Sequence, residues 1–315
     1  MPARCRRRVR RSPVGTVTLT GAALMQMNNS TIQGATVTTS TTGTIESIGN
    51  NSIINASTVN FNNTGTLEAF GGTLTIEGPG TTFFTNDNQT TNTLTGGTYI
   101  ANGTNIQWAA GASGIKTLSA SVTEENGGQL MNTTNSTNVL AGLTSITSAG
   151  ALTIGGVAFT DAGAFSNAGS LTILSGESFK VGTLTQISGG SLTAGTYVLD
   201  ANLNLSGATQ TITTNAATLT LAGGTIENAN STNALAGLAT NTGKPTIADS
   251  SNKVSTTGAS FSNTGTLTIN SGDSFTAAKL AQISGSTLSG GTFVLGGNLD
   301  LTTSGISVTS NALPH

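Results

Sequence analysis

Apolar and polar residues alternate strictly in short segments along most of this chain. In the segment 266–269 the apolar residues Leu267 and Ile269 are separated and flanked by threonine, so an extended backbone places them on one side and the threonines on the other. Residues 218–221 and 16–20 follow the same pattern. Alternation over four to six residues rich in Thr and β-branched aliphatics predicts half-buried β-strands. Since no segment shows the period of a capped helix, we predict an all-β fold.

Glycines separate the alternating segments. Glycine adopts positive φ without a steric penalty, so paired glycines predict tight corners between strands. Two short apolar segments, 138–143 and 233–238, each contain one glycine, and we predict a corner with at most one turn of helix at each. The glycine pairs are Gly71-Gly72, Gly96-Gly97, Gly189-Gly190, Gly223-Gly224 and Gly290-Gly291.

The chain also repeats itself over longer distances. Segment 165–173 returns 96 residues later as 261–269, and the same offset relates 175–179 to 271–275. Within each copy, apolar segments recur at a spacing of about 20 residues, which is typical of stacked repeats. We therefore predict a single-stranded parallel β-helix, or β-solenoid, with about 20 residues per rung and super-repeats of about 96 residues.

The repeat defines the predicted organisation of the chain. Residues 1–13 form a basic tail that we expect to be disordered, and residues 14–315 form the solenoid. Copies of the repeat occupy residues 55–135, 136–230 and 231–312. With strands about 4.8 Å apart, roughly fifteen rungs would make a rod about 70 Å long.

Composition agrees with a narrow core. Glycine accounts for 42 of 315 residues, whereas only 8% of residues are charged and 4% are aromatic. Each rung of a solenoid turns few side chains inward, so a thin column of Leu, Ile, Val and Phe is sufficient. Disordered chains usually carry high charge, which argues against disorder here. Asn167 and Asn263 occupy equivalent positions, and we expect such asparagines to form ladders between rungs.

Charge is concentrated at the N-terminus, where six of the eleven basic residues are arginines within 4–11. The rest of the chain contains five lysines and thirteen acidic residues. Its net charge is therefore negative, which argues against nucleic-acid binding. The arginine run lacks the apolar region of a secretory signal. We interpret it as a scar or a mis-assigned start of an incomplete gene; a targeting segment is the alternative.

Few residues offer chemistry. Cys5 and His315 are the only residues of their types, which excludes a disulfide framework and a Cys/His metal cluster within the chain. No run of 18 apolar residues is present, so we predict no embedded membrane segment. We assign no catalytic, metal or cofactor-binding residue, and we expect no cofactor.

Two sets of acids are candidate site residues. Glu177 and Asp273 occupy equivalent places within Ser-Gly-acid-Ser-Phe. A carboxylate copied with the repeat predicts a structural role, in which it accepts backbone N–H groups in a turn; a calcium ligand is the alternative. Asp249 lies between Lys244 and Lys253. We interpret it as part of a solvated loop, the alternative being a catalytic acid for polysaccharide cleavage.

An acidic pair, several aromatic residues and a set of Thr-x-Thr pairs are the other candidate functional residues. Glu124-Glu125 is an isolated acidic pair, interpreted like Asp249. Tyr197 and Phe293 are repeat equivalents, which predicts a packing role, whereas Trp108 has no equivalent and is predicted to be the exposed aromatic residue. Thr-x-Thr pairs in nearly every rung would match an ice lattice, but the pairs are scattered in the sequence and we predict ordinary strand surface. The pairs are Thr73/Thr75, Thr93/Thr95, Thr211/Thr213, Thr218/Thr220 and Thr266/Thr268.

The repeat units Asn-x-Gly-[Ser/Thr]-Leu-Thr-Ile and Gly-Gly-Thr-[Tyr/Phe]-Val-Leu resemble the passenger regions of bacterial autotransporters and filamentous-haemagglutinin-like adhesins. The resemblance covers residues 14–312 and concerns the style of the repeat. It implies a right-handed parallel β-helix displayed outside the cell. The family's signal peptide and outer-membrane barrel are not in the sequence, so we expect further chain and a larger exported adhesin.

The resemblance implies a non-enzymatic structural or adhesive rod, extracellular or attached to the outer membrane. Its expected partners are host or neighbouring-cell surfaces, glycans or matrix, bound through many modest contacts. Two alternatives remain open: a polysaccharide lyase or hydrolase on the same scaffold, and an ice-binding solenoid.

Overall fold

The chain folds as an all-β, parallel β-solenoid in a computed structural model, and no helix occurs among the described residues. The predicted fold class is therefore confirmed. The basic tail at 1–13 lies outside the described residues. These are residues 15–33, 35–55, 61–78, 83–207, 209–248, 252–303 and 310–311.

The turns are longer and fewer than predicted. The structure has about 12 turns of about 23 residues each, rather than roughly fifteen of about 20. Gln26 and Glu46 are hydrogen-bonded neighbours 20 residues apart, whereas Asn215 and Asn241 are 26 apart. In that later turn the additional residues fall in 229–239, between two strands. Because corner insertions leave the strands unchanged, the apolar segments alone do not reveal the length of each turn.

The chain forms two compact units, Met1–Ala158 and Phe159–His315. Successive strands in the first three turns of unit 1 belong to three different sheets. Its strands are β1 (Gly15–Leu19), β2 (Leu24–Met27), β3 (Thr31–Gln33), β4 (Ala35–Thr39), β5 (Thr44–Ile48), β6 (Ser52–Asn55), β7 (Asn62–Asn63), β8 (Thr66–Phe70), β9 (Leu74–Glu77), β10 (Asp87–Asn88), β11 (Thr93–Asn102), β12 (Ile106–Trp108), β13 (Thr117–Glu125), β14 (Leu130–Asn132), β15 (Thr137–Asn138), β16 (Ser145–Ile146) and β17 (Ala151–Gly155).

Parallel pairing between turns organises unit 1. One sheet pairs β2, β5, β8, β11, β13 and β17 in that order. A second pairs β3, β6, β9, β12 and β14, and a third pairs β1, β4 and β7. Parallel neighbours are separated by a whole turn of chain, which is the topology expected of a β-helix.

Unit 2 repeats this topology with shorter strands. Its strands are β18 (Phe159–Thr160), β19 (Ala164–Asn167), β20 (Ser170–Ile173), β21 (Phe179–Val181), β22 (Thr183–Leu184), β23 (Ile187–Ser188), β24 (Ser191–Leu192), β25 (Thr196–Leu199), β26 (Leu203–Leu205), β27 (Thr214–Asn215), β28 (Thr218–Ala222), β29 (Ile226–Asn228), β30 (Thr240–Asn241), β31 (Lys244–Ala248), β32 (Lys253–Ser255), β33 (Ser262–Asn263), β34 (Thr266–Ile269), β35 (Ser274–Ala277), β36 (Ile283–Ser284), β37 (Thr287–Leu288), β38 (Thr292–Leu295), β39 (Asn298–Leu301) and β40 (Ser310–Asn311).

Each turn of unit 2 stacks on the next with its strands in register. Strands β24, β25 and β26 of one turn pair with β27, β28 and β29 of the following turn. The sheet formed by β20, β25, β28, β31, β34 and β38 is called the main sheet of unit 2. Its six strands come from consecutive turns, so every position along a strand generates a column of side chains.

Side chains alternate between core and surface along these strands. In β34, Leu267 and Ile269 are buried, whereas Thr266 and Thr268 are partly exposed. This confirms the predicted alternation. Full burial of one such aliphatic side chain stabilises the fold by about 1.5–3 kcal/mol. Repeated over the turns, these side chains form the predicted column of Leu, Ile, Val and Phe.

Buried asparagines at the corner before the main sheet form a ladder. Asn215 Nδ2 donates to Asn241 Oδ1 (3.1 Å), and Asn241 Nδ2 donates to Asn263 Oδ1 (2.6 Å). The predicted ladder is confirmed for Asn263. Asn167 does not stack on Asn263: its Nδ2 donates to the Thr196 carbonyl at 3.1 Å. The sequence matched these two residues across copies, but they lie several turns apart.

A glycine follows two residues after Asn241 and after Asn263, because consecutive turns approach closely there. A Cβ atom placed on Gly265 would lie 2.2 Å from the Gly243 carbonyl oxygen, and one on Gly243 would lie 2.2 Å from the Ala217 carbonyl oxygen. No side chain fits at these distances. Gly243 and Gly265 therefore leave space for the preceding turn, and the motif Asn-x-Gly reflects that requirement in these two turns, whereas the turn of Asn215 has Ala217 at the equivalent position.

Candidate functional site

The outward side chains of the main sheet of unit 2 form two in-register columns, which together we call the threonine face. Position one of each strand supplies the first column and position three the second, and these positions are partly or fully exposed. The columns are Ser170, Thr196, Thr218, Lys244, Thr266 and Thr292, and Thr172, Val198, Thr220, Thr246, Thr268 and Val294.

The hydroxyl groups of this face differ from those at the corners. Corner threonines donate to carbonyl groups of a preceding turn, as Thr213 Oγ1 does to Gly190 (3.0 Å) and Thr257 Oγ1 does to Ala236 (3.0 Å). On the threonine face, by contrast, the eight threonine hydroxyls have no hydrogen-bond partner among the described residues. These hydroxyls remain available to bond outside the protein.

The structure separates the five Thr-x-Thr pairs noted in the sequence. Thr218/Thr220 and Thr266/Thr268 lie on the threonine face, whereas the other three pairs lie elsewhere. For example, Thr95 Oγ1 donates to the Asn86 carbonyl at 3.3 Å. The remaining residues of the face come from rungs that lack the motif. The Thr-x-Thr pairs themselves are scattered, as the sequence indicates, and the structure adds that threonines of rungs without the motif share the same two columns.

A second sheet of unit 2 presents different chemistry. Lys180, Asn204 and Glu227 are neighbours in one column across β21, β26 and β29. Glu227 Oε2 accepts a hydrogen bond from Asn202 Nδ2 at 3.0 Å. The threonine face, by contrast, has Lys244 as its one charged side chain and carries no amide side chain, so the two sheets differ in chemistry.

Unit 1 carries two acids at neighbouring outward positions. Glu46 and Glu68 are neighbours across β5 and β8, and Gln26 Nε2 donates to Glu46 Oε2 at 3.0 Å. Partial burial, followed by the charges of Glu46 and Glu125, raises the pKa of Glu68. Where the structure describes the chain, no group of three or more His, Cys, Asp or Glu side chains is arranged to hold a metal ion.

Glu124 is buried, which corrects its interpretation as part of a solvated loop. Its Oε1 accepts the Leu130 backbone N–H at 2.7 Å, and its Oε2 accepts from Asn138 Nδ2 at 2.8 Å. Burial raises the pKa of Glu124 to about 7, although both hydrogen bonds oppose the shift. The alternation along β13 indicates this burial in the sequence, since Glu124 continues the series of buried residues Leu118, Ala120 and Val122.

Trp108 is also buried, so its predicted exposure is wrong. Its side chain is 0% exposed, and its ring centroid lies 5.3 Å from that of Phe84. Nε1 donates to Asp87 Oδ2 at 2.9 Å. Burial raises the pKa of Asp87, and the bond from Trp108 lowers it by a smaller amount. Trp108 has no equivalent in the other copies because it belongs to a core cluster found only in this part of the chain, and not because it lies on the surface.

The other candidate residues divide by burial. Tyr197 is buried, as its packing role predicts, and Phe293 is half-buried. Asp273 is buried and its Oδ1 accepts the Asn252 N–H at 2.8 Å, which agrees with a structural role. Glu177 is half-buried. Asp249 lies outside the described residues, so its alternatives stay as predictions.

Comparisons with protein-family models, with curated proteins and with solved structures find no match to this chain. The resemblance to passenger regions thus stays an expectation. The β-solenoid is compatible with an enzyme and with a non-enzymatic protein. Over the described ranges, the structure contains no helix long and apolar enough to cross a membrane.

Proposed function

We propose that this chain is a non-enzymatic structural and adhesive β-helix that acts at the cell surface or outside the cell. The observation that carries the proposal is the in-register repetition of outward side chains over consecutive turns, as in the column Ser191, Thr214, Thr240 and Ser262. The resemblance of its repeat units to adhesin passengers supports the same function.

Repetition supplies the mechanism. Backbone ladders and buried aliphatic columns hold each turn against the next, so outward groups recur at intervals of about 4.8 Å. A partner with its own repeats, such as a glycan chain or a matrix protein, can meet several equivalent groups at once. Each contact is weak, and their simultaneous formation produces avidity.

The experiment compares cells that display the full chain with cells that display an unrelated β-solenoid. Adhesion is measured on glycan arrays, immobilised matrix proteins and cultured host cells. We expect cells that display this chain to adhere more strongly than the control cells to at least one of these surfaces. Equal adhesion by the two displays on every surface would contradict the proposal.

Variants then test whether binding is distributed. Thr214→Ala or Thr240→Ala alone should reduce adhesion by no more than about twofold, and together with Glu46→Gln and Glu68→Gln the losses should multiply. Complete loss from one substitution would instead indicate a single binding site. Release of oligosaccharide ends from a bound glycan would favour the alternative of a lyase or hydrolase.

A further inference from the structure

We propose that the threonine face of unit 2 binds ice. This activity goes beyond the proposed function, because it needs neither a cell nor a receptor and can be measured on the purified chain. Four observations support it: the grid of hydroxyls, their lack of protein partners, the methyl groups among them, and the near absence of charge.

The grid follows from the register of the main sheet. Thr172, Val198 and Thr220 occupy one position in consecutive turns, and Thr246, Thr268 and Val294 continue the column. Strand spacing separates neighbours by about 4.8 Å, and alternate residues along a strand lie about 6.7 Å apart. Both distances are close to oxygen spacings on faces of hexagonal ice. Stacked side-chain ladders also favour a flat sheet, which a crystal surface requires.

Each threonine carries one hydroxyl and one methyl group on a side chain that is partly or fully exposed. The hydroxyl can donate one hydrogen bond and accept others, and on this face it has no competing partner among the described residues. The methyl group adds apolar surface, next to which water has restricted orientational freedom. Val198 and Val294 replace threonine at two grid positions and keep a methyl group there.

The chemistry of the face selects an uncharged, non-aromatic occupant. Lys244 is its one charged residue, so it offers little to a charged polymer. Sugar-binding surfaces commonly use exposed aromatic rings, whereas Tyr197, which lies on β25 of the same sheet, is buried on the inner side. A neutral water lattice complements a neutral face of hydroxyl and methyl groups.

The test measures thermal hysteresis, ice-crystal shape and inhibition of ice recrystallisation with the purified full chain. We expect all three activities in the natural sequence. Thr220→Lys places a charge inside the grid, between Val198 and Thr246, and should abolish most of the hysteresis. The matched control is Thr276→Lys, which makes the same change at an outward position of β35, between Ser255 and Asp300. That control should keep its hysteresis, and thermal unfolding should confirm that both variants fold.

A gain of activity is also expected. Lys244→Thr would complete a Thr-x-Thr rung and should increase hysteresis above that of the natural chain, which a non-specific effect of protein concentration would not do. Absence of all three ice activities in the natural chain would overturn the proposal, as would equal losses in the Thr220→Lys and Thr276→Lys proteins. Adhesion without ice activity would support the proposed function and contradict the inference of ice binding. Ice activity without adhesion would support ice binding and contradict the proposed function.

Discussion

Glu124 places a carboxyl group in the core of unit 1, in a column where its neighbours are Ala101 and Ile154. The Leu130 N–H and the Asn138 amide donate to it. These donors offset part of the cost of burying the charge, and the rest raises the pKa of Glu124 to about 7,. The pKa of this carboxyl group therefore lies near neutral pH in the folded chain.

This pKa predicts how stability depends on pH. Because the pKa of Glu124 rises from 4.5 unfolded to about 7 folded, the folded chain binds more protons between these values. The free energy of unfolding contributed by this group should fall by about 1.4 kcal/mol per pH unit across that window, roughly 3 kcal/mol in total, and level off above it. Urea unfolding from pH 4 to 8 measures the effect.

Glu124→Gln isolates the contribution of this group, since an amide can still accept from Leu130 and does not titrate. The variant should lose the fall in stability between about pH 4.5 and 7, while the neighbouring outward variant Glu125→Gln should keep it. Parallel stability curves for the natural chain and Glu124→Gln would show that the carboxyl group of Glu124 is not perturbed.

At the scale of one element, β34 shows how alternation is converted into stability. Leu267 is fully buried, whereas Thr266 next to it faces outward. Adjacent residues of one strand therefore differ in the burial of their side chains, although both take part in the same backbone hydrogen-bond ladder.

Aspartate substitutions at these two positions should have unequal effects. Leu267→Asp buries an unpaired carboxylate and should lower the free energy of unfolding by more than about 3 kcal/mol. Thr266→Asp adds an exposed charge and should change it by no more than about 1 kcal/mol. Denaturant unfolding measures the two values, and hydrogen exchange should locate the loss of protection in the turns next to β34. Similar values for both variants would refute the inward and outward assignment.

At the scale of the whole molecule, stability should be distributed along the turns, because each turn contacts mainly its neighbours. In unit 2, Asn241 and Asn263 are equivalent positions 22 residues apart. Removing one complete turn would place the strands on either side of it in register, so the asparagine ladder and the aliphatic columns could close again.

Deletion of residues 240–261 should therefore leave a folded solenoid. We expect its unfolding enthalpy to fall by about one turn in twelve,. Scanning calorimetry and circular dichroism measure the change. Deletion of residues 240–250 is the control, because it removes half a turn and misaligns buried and exposed positions. If both deletions unfold the chain equally, the turns are not independent units of stability.

Sequence patterns predicted the strands and most of the glycine corners, because these depend on local geometry. Gly96-Gly97 is the exception: the pair lies inside β11, at a shift of register between Thr95 and Thr98. Alternation has a period of two residues, and a corner such as Gly265 is defined by a close approach that excludes every side chain. Burial of Trp108 and Glu124 was missed for the opposite reason. Each depends on partners from other segments, Phe84 and Asp87 for Trp108 and Leu130 and Asn138 for Glu124.

By itself, the sequence determined that this protein is a stacked, parallel, all-β solenoid with a narrow aliphatic core, since side-chain alternation and repetition are properties of neighbouring residues. Only the tertiary structure decided which residues share a column. Turn lengths differ, as the separations of 20, 22 and 26 residues show, and register between turns is set by backbone hydrogen bonds. Those bonds bring Thr172, Val198 and Thr220 onto one face, although they are separated by 26 and then 22 residues in the sequence.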